Sequence, residues 1–156
     1  MSPHAGTSAL RAGRWSEKGR CYLVTTTTAG RRRFFDRPEA AQIVLDCLAW
    51  LEEHERIRRL SAVVMPDHLH AVIELGTASL PSVMHSLKGF TAKGVNAVEA
   101  RSGPVWQRQY HETALRDGSA VREAIRYCLL NPVRWGLTTA PGEFPFCFCA
   151  YPIDSL

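Results

Sequence analysis

The chain has 156 residues, of which 46% are apolar and 22% charged, which suits one globular domain with a real core rather than two. A formal charge of +4 permits a polyanionic partner, and the charge is supplied mainly by arginine, the side chain suited to bidentate contact with phosphate. The five cysteines, Cys21, Cys47, Cys128, Cys147 and Cys149, include no C-x-x-C pair, so a zinc ribbon or a disulfide framework is disfavoured and a reduced, cytoplasmic chain is expected. No apolar run approaches the length of a membrane span.

Residues 1–17, rich in Ser, Gly, Ala and Arg, read as a flexible leader, and 18–156 as the folded domain. Cys21 to Thr27 is dense in β-branched and aromatic residues and predicts a first strand. The cluster Arg31, Arg32, Arg33 follows as a loop. Asp36 and Glu39 have capping-box spacing around Pro38, which predicts a helix whose core stripe is Ile43, Val44, Cys47, Leu48 and Leu51. Residues 57–64 predict a second strand, turned by Met65-Pro66-Asp67 into a third. A second helix is expected from Leu80 to about Val98, weakened locally by Gly89 and Gly94. After Ser102-Gly103-Pro104, Val105 to Leu115 reads as a fourth strand. A third helix should start at Asp117-Gly118-Ser119, bury Val121, Ala124, Ile125, Cys128 and Leu129, and end near Asn131-Pro132, because a residue before proline avoids the helical region. From Thr138 onward an irregular tail is expected. The order strand, helix, strand, strand, helix, strand, helix predicts an α+β, ferredoxin-like split βαβ fold with an antiparallel sheet and an added C-terminal helix and tail.

The third strand carries the densest chemistry. In Met65-Pro66-Asp67-His68-Leu69-His70, the two histidines are two residues apart, so they point to the same face of a strand and can share a divalent metal ion. Leu69, Ala71, Ile73 and Leu75 then face the core. Tyr127 and Asn131, four apart, lie on one helical face. A tyrosine hydroxyl beside a metal is a potential covalent nucleophile, and an asparagine carbonyl can be an oxygen ligand for a hard cation. By spacing alone, the plainer reading stands first: Tyr127 as a core-edge aromatic and Asn131 as a helix terminator.

Met65-Pro66-Asp67-His68-Leu69-His70 resembles the histidine, hydrophobic, histidine signature of single-tyrosine transposases of the insertion-sequence 200 type. Tyr127-Cys128-Leu129-Leu130-Asn131-Pro132-Val133-Arg134-Trp135-Gly136 is similar to the tyrosine helix of their REP-associated relatives. Val105-Trp106-Gln107 to Glu112 resembles the family's tryptophan-glutamine strand, and Glu143-Phe144-Pro145-Phe146 its short aromatic tail. The four motifs stand in family order over residues 19 to 151; Cys128 replaces a commoner isoleucine, and Trp135 stands where alanine is usual.

The resemblance implies an HUH endonuclease fold over residues 18–156 and a transposase that cleaves and rejoins single-stranded DNA at hairpin-forming repeats. It implies that His68, His70 and Asn131 bind Mg²⁺ or Mn²⁺ and that Tyr127 forms a 5′-phosphotyrosine intermediate. Since a free phenol has a pKa of about 10, the metal or a positive neighbour such as Arg126 or Arg134 must favour the phenolate. Arg31, Arg32, Arg33, Lys88, Arg116, Arg126 and Arg134 are candidate DNA contacts, and Trp106, Trp135 and Tyr110 candidate stacking aromatics. Asp67, Glu74 and Glu112 are lesser candidates as ligand or base. A nucleoid-associated monomer is expected, with a dimer as the alternative. Two other readings remain: a non-catalytic ferredoxin-like nucleic-acid-binding protein, and a metal-dependent phosphoesterase for small substrates.

Overall fold

A computed structural model describes residues 18–156; the expected leader over residues 1–17 lies outside the described residues. The elements in chain order are β1 (Cys21–Thr27), α1 (Pro38–Glu53), β2 (Ile57–Met65), β3 (His68–Leu75), α2 (Leu80–Glu99), β4 (His111–Leu115), α3 (Gly118–Arg134) and β5 (Cys147–Cys149). The strands form one antiparallel sheet in the order β4-β1-β3-β2-β5. This is the α+β, ferredoxin-like arrangement expected, with β5 as an addition at one edge.

Alternation along the strands sorts the two faces. Val24, Ala62, Val64, Leu69, Ala71 and Ile73 join Leu48, Leu51, Val83 and Leu87 in the larger core beneath α1 and α2. Leu60, Val63, Met65 and Val72 face the opposite side and are covered by Ala124, Ile125, Cys128 and Leu129 of α3. Full burial of each large aliphatic is worth about 1.5–3 kcal/mol, so both layers are needed to hold β3 at the centre. No helix among the described residues is long and apolar enough to cross a membrane.

Four local expectations are corrected. Asp36 does not cap α1: its carboxylate is taken by Arg33 at 2.8 and 3.2 Å, and Arg37 is the N-cap with no side-chain bond, leaving Pro38 to set the first turn. The fourth strand is only His111–Leu115. Upstream, Trp106 makes an isolated bridge to Thr28 and buries its indole, while the Lys88 ammonium binds the carbonyls of Gln107 and Arg108, so that backbone is satisfied outside a ladder. The tail contributes a paired strand, β5, against Ser61, Ala62 and Val63. Lastly, α3 runs through Pro132 to Arg134.

Gly94 in α2 has a packing reason: an added Cβ would lie 3.0 Å from Ile43 of α1, so the glycine lets the two helices approach. Gly89 has no such neighbour within 4 Å.

Candidate metal and nucleophile site

His68 and His70 open β3, the strand flanked on both sides, and both are 6% exposed. The period of two turns them to the α3 face, with ring centroids 4.7 Å apart at 78°. Each is held by its Nδ1. His68 Nδ1 lies 2.7 Å from Asp67 Oδ1, and because a carboxylate only accepts, Nδ1 carries the hydrogen; in the neutral ring Nε2 then holds the lone pair. His70 Nδ1 lies 2.7 Å from Thr25 Oγ1, its register partner on β1. In the tautomer whose Nδ1–H donates to the threonine hydroxyl, the second imidazole also presents a free Nε2.

Asp67 is itself anchored. Oδ2 accepts from Arg31 Nε at 3.2 Å and Nη2 at 3.1 Å, and its carbonyl accepts from the Thr28 backbone and hydroxyl. Burial pushes the Asp67 carboxyl up, but the hydrogen bond and charge of His68, with Arg31, outweigh it and hold the group below its ordinary value. Asp67 is thus an orienting group behind His68. Burial, and then the charges of His68 and Arg134, push His70 down to about 4. It is neutral at physiological pH, the form in which imidazole donates a lone pair.

The second half of the site comes from α3. Tyr127, Asn131 and Trp135 are four residues apart and so share one stripe. The Tyr127 ring lies 5.2 Å from His70, and the Trp135 ring 6.0 Å from His68. Asn131, one turn from each, therefore sits over the histidine pair. It is 4% exposed, and its Oδ1 has no hydrogen-bond partner. A buried carbonyl left unpaired costs about 1–3 kcal/mol, so a cation at this point would supply what the fold withholds. Among the described residues no cluster of three or more His, Cys, Asp or Glu side chains is gathered for a metal, and the third donor here is an amide. Two imidazole nitrogens and a carbonyl oxygen form a donor set that a divalent cation can accept.

Helix continuation through Pro132 makes this stripe. Pro132 forfeits the bond its N–H would give, but the turn after it is closed by a Schellman motif: Leu137 N–H donates to Pro132 O at 2.8 Å and Gly136 N–H to Val133 O at 3.0 Å. Gly136 supplies the left-handed position at φ 73°. Asn131 is consequently an interior helical residue rather than a terminator.

The remaining candidates are dispersed. Tyr127 is 42% exposed, with the Arg134 guanidinium 4.7 Å from its ring centre. Arg126 turns away and donates to the Leu156 carbonyl, leaving Arg134 as the arginine at the phenol. Arg31 is engaged on Asp67 and Arg33 on Asp36, while Arg32 lies over the Phe34 ring. Arg116 is exposed beside the start of α3, and Lys88 is committed to two carbonyls. Glu74 shares the histidine face but lies at the far end of β3 and binds Arg58 at 2.9 Å. Glu112 pairs with Val24, which puts it on the opposite face of the sheet from His70. The cysteines are all free.

Neither Thr25 as the partner of His70 nor the Arg31–Asp67 pair is legible from the sequence. The only signal was the alternation of β1, which puts Thr25 and Thr27 on one face without saying what lies opposite.

The family model described as "Transposase IS200 like" matches residues 18–127. The chain belongs to the IS200-like transposase family. This family member also resembles an uncharacterised Haemophilus influenzae protein, 28% identical over an alignment covering 47% of this chain. It spans about half, 53%, of that relative's length. The structure of a REP-associated tyrosine transposase bound to a REP hairpin superposes with a TM-score of 0.70 at 21% identity, covering 94% of this chain and 82% of the other. A Deinococcus radiodurans R1 protein assigned as a transposase superposes at 0.54 and 17% identity, covering 81% of this chain and 94% of its own. At these identities the likeness speaks to the fold of this transposase-family chain.

Proposed function

We propose that residues 18–156 form a metal-dependent endonuclease and strand transferase for single-stranded DNA carrying hairpins, acting through a 5′-phosphotyrosine intermediate. The observation that carries this reading is the orphaned Asn131 carbonyl, held over two oriented imidazoles and one turn from an exposed tyrosine. Family membership and the fold shared with a hairpin-bound transposase support the DNA substrate.

In this reading His68, His70 and Asn131 would hold Mg²⁺ or Mn²⁺, which would supply Lewis-acid polarisation of the scissile phosphate. Asp67 and Thr25 keep the imidazoles turned with Nε2 toward the site. Tyr127 is exposed enough to meet a phosphodiester, and its oxygen attacks phosphorus. The P–Oη bond forms, the P–O3′ bond breaks, the phenol's proton is lost, and the departing oxygen gains one as a 3′-hydroxyl. Arg134 puts positive charge against the attacking ring. One phosphoester replaces another, so rejoining by a 3′-hydroxyl needs no external energy source.

The test is incubation with a hairpin-bearing single-stranded oligonucleotide and Mn²⁺, followed by a denaturing gel. A protein-DNA band that resists SDS, absent with EDTA and absent in Tyr127→Phe, is expected. Cleaved DNA without that band would favour a phosphoesterase, and binding without cleavage a non-catalytic module.

A further inference from the structure

Three aromatics stand as candidates to stack on a nucleobase, and the structure separates them. Trp106 is 6% exposed, packs on Phe35 with centroids 5.3 Å apart, and donates Nε1 to Thr91 Oγ1 at 2.8 Å. Tyr110 packs against the larger core with the Lys88 ammonium 5.9 Å from its ring centre. Both are accounted for by packing. Trp135 is 53% exposed, although it is the largest kind of apolar side chain and stands next to His68, its ring tilted 53° to the imidazole.

The backbone beneath that indole is fixed. Trp135 is the C-cap of α3, its N–H donating to Asn131 O at 3.1 Å, and the Gly136 and Leu137 bonds close the helix directly behind it. A rigid, exposed aromatic loses little entropy when a flat partner settles on it. Stacking of a base on an aromatic side chain is worth about 1–3 kcal/mol and tolerates any base.

The direction of the chemistry says which base. Tyr127 and Trp135 are separated by eight residues along α3, about 12 Å, with Asn131 between them. In an in-line displacement the attacking and departing oxygens lie on opposite sides of phosphorus. In the proposed cleavage reaction, phosphorus beside Asn131 attacked from Tyr127 would have its departing 3′-oxygen on the Trp135 side.

We propose that Trp135 is the stacking platform for the nucleobase that carries the departing 3′-oxygen, forming with the edge of His68 a subsite for one single-stranded nucleotide. This rests on the reading of the site as a DNA-cleaving centre. The subsite discriminates by presence and stacking strength of a base, not by hydrogen bonds.

The test separates the two ideas. Wild-type protein and Mn²⁺ locate the cleaved junction in a tailed hairpin oligonucleotide. Binding is then measured with Tyr127→Phe protein on a series of the same oligonucleotides, each with one abasic position along the whole tail. Loss of the base on the 3′-hydroxyl side of the junction should weaken binding on the order of tenfold. Trp135→Ala in the Tyr127→Phe background should weaken the intact oligonucleotide by a similar factor and abolish sensitivity to that abasic position. Trp135→Phe should retain most of the effect, and matching melting curves show that the variants are folded. A 2-aminopurine at that position should be quenched by Tyr127→Phe protein and brighten with the added Trp135→Ala. Equal losses on intact and abasic DNA, or dependence on Trp135 at no tail position, overturn the subsite while leaving an observed adduct intact. Absence of any wild-type adduct overturns the cleavage reading, and the abasic scan still decides whether Trp135 stacks on a base.

Discussion

Asp67 and His68 are adjacent in sequence, yet the carboxylate of one folds back to lie 2.7 Å from Nδ1 of the other while its second oxygen is clamped by Arg31. The pair fixes which imidazole nitrogen is free. Outer hydrogen bonds of this kind typically account for 10–100-fold in metal affinity. Asp67→Asn should therefore shift the Mn²⁺ concentration needed for half-maximal DNA cleavage upward by roughly tenfold or more. Cleavage at saturating Mn²⁺ should be largely retained. An unchanged midpoint would show that His68 needs no orienting partner.

The metal-ligand role proposed for Asn131 implies a cost in stability. Replacing its unpaired buried carbonyl by an apolar side chain of similar size removes a desolvation cost of about 1–3 kcal/mol. Metal-free Asn131→Leu should melt at or above the wild-type temperature, while calorimetric Mn²⁺ binding and adduct formation are lost. A variant that is strongly destabilised, or that binds Mn²⁺ like wild type, contradicts the role given to this residue.

The neutral burial of His70 makes folding depend on pH. The folded group lies at about 4 against an ordinary value of 6.5, so between these values the unfolded chain holds a proton that the folded chain does not. Stability from this group is complete above about 6.5 and is lost as pH falls toward 4, in total roughly 3 kcal/mol. Urea unfolding of the metal-free protein across that window should show the loss, and His70→Gln should flatten it. The same slope in His70→Gln would assign the effect elsewhere.

Two glycines should respond with opposite signs. Gly89 has helical backbone and open space, so Gly89→Ala should stabilise by about 0.5–1 kcal/mol. Gly136 also has open space but sits at φ 73°, so Gly136→Ala should cost about 1 kcal/mol through backbone conformation alone. It should also lower cleavage, since the turn it closes holds the end of the Asn131 and Trp135 stripe. Thermal melts and initial rates check both.

The sequence was informative wherever the determinant was local. Alternation placed His68 and His70 on one face, and helical spacing put Tyr127 and Asn131 together, because period is a property of a few neighbouring residues. The end of α3 lies beyond the point that Pro132 predicts, because the rule for residues before proline takes no account of the chain past it, where Gly136 closes the helix one turn later. The expected fourth strand was too long because Lys88, on a distant helix, satisfies the carbonyls of Gln107 and Arg108. Thr25 was invisible as the partner of His70 because cross-strand register is set by the whole sheet. Local pattern likewise could not distinguish the buried Trp106 from the exposed Trp135.

The identity of the nucleophile tests the account most directly. Wild-type protein trapped on hairpin-bearing single-stranded DNA with Mn²⁺, digested and examined by mass spectrometry, should yield one nucleotide-bearing peptide. The phosphate should be on Tyr127. Attachment to Tyr110 or any other residue, or cleaved DNA with no modified peptide, would contradict it.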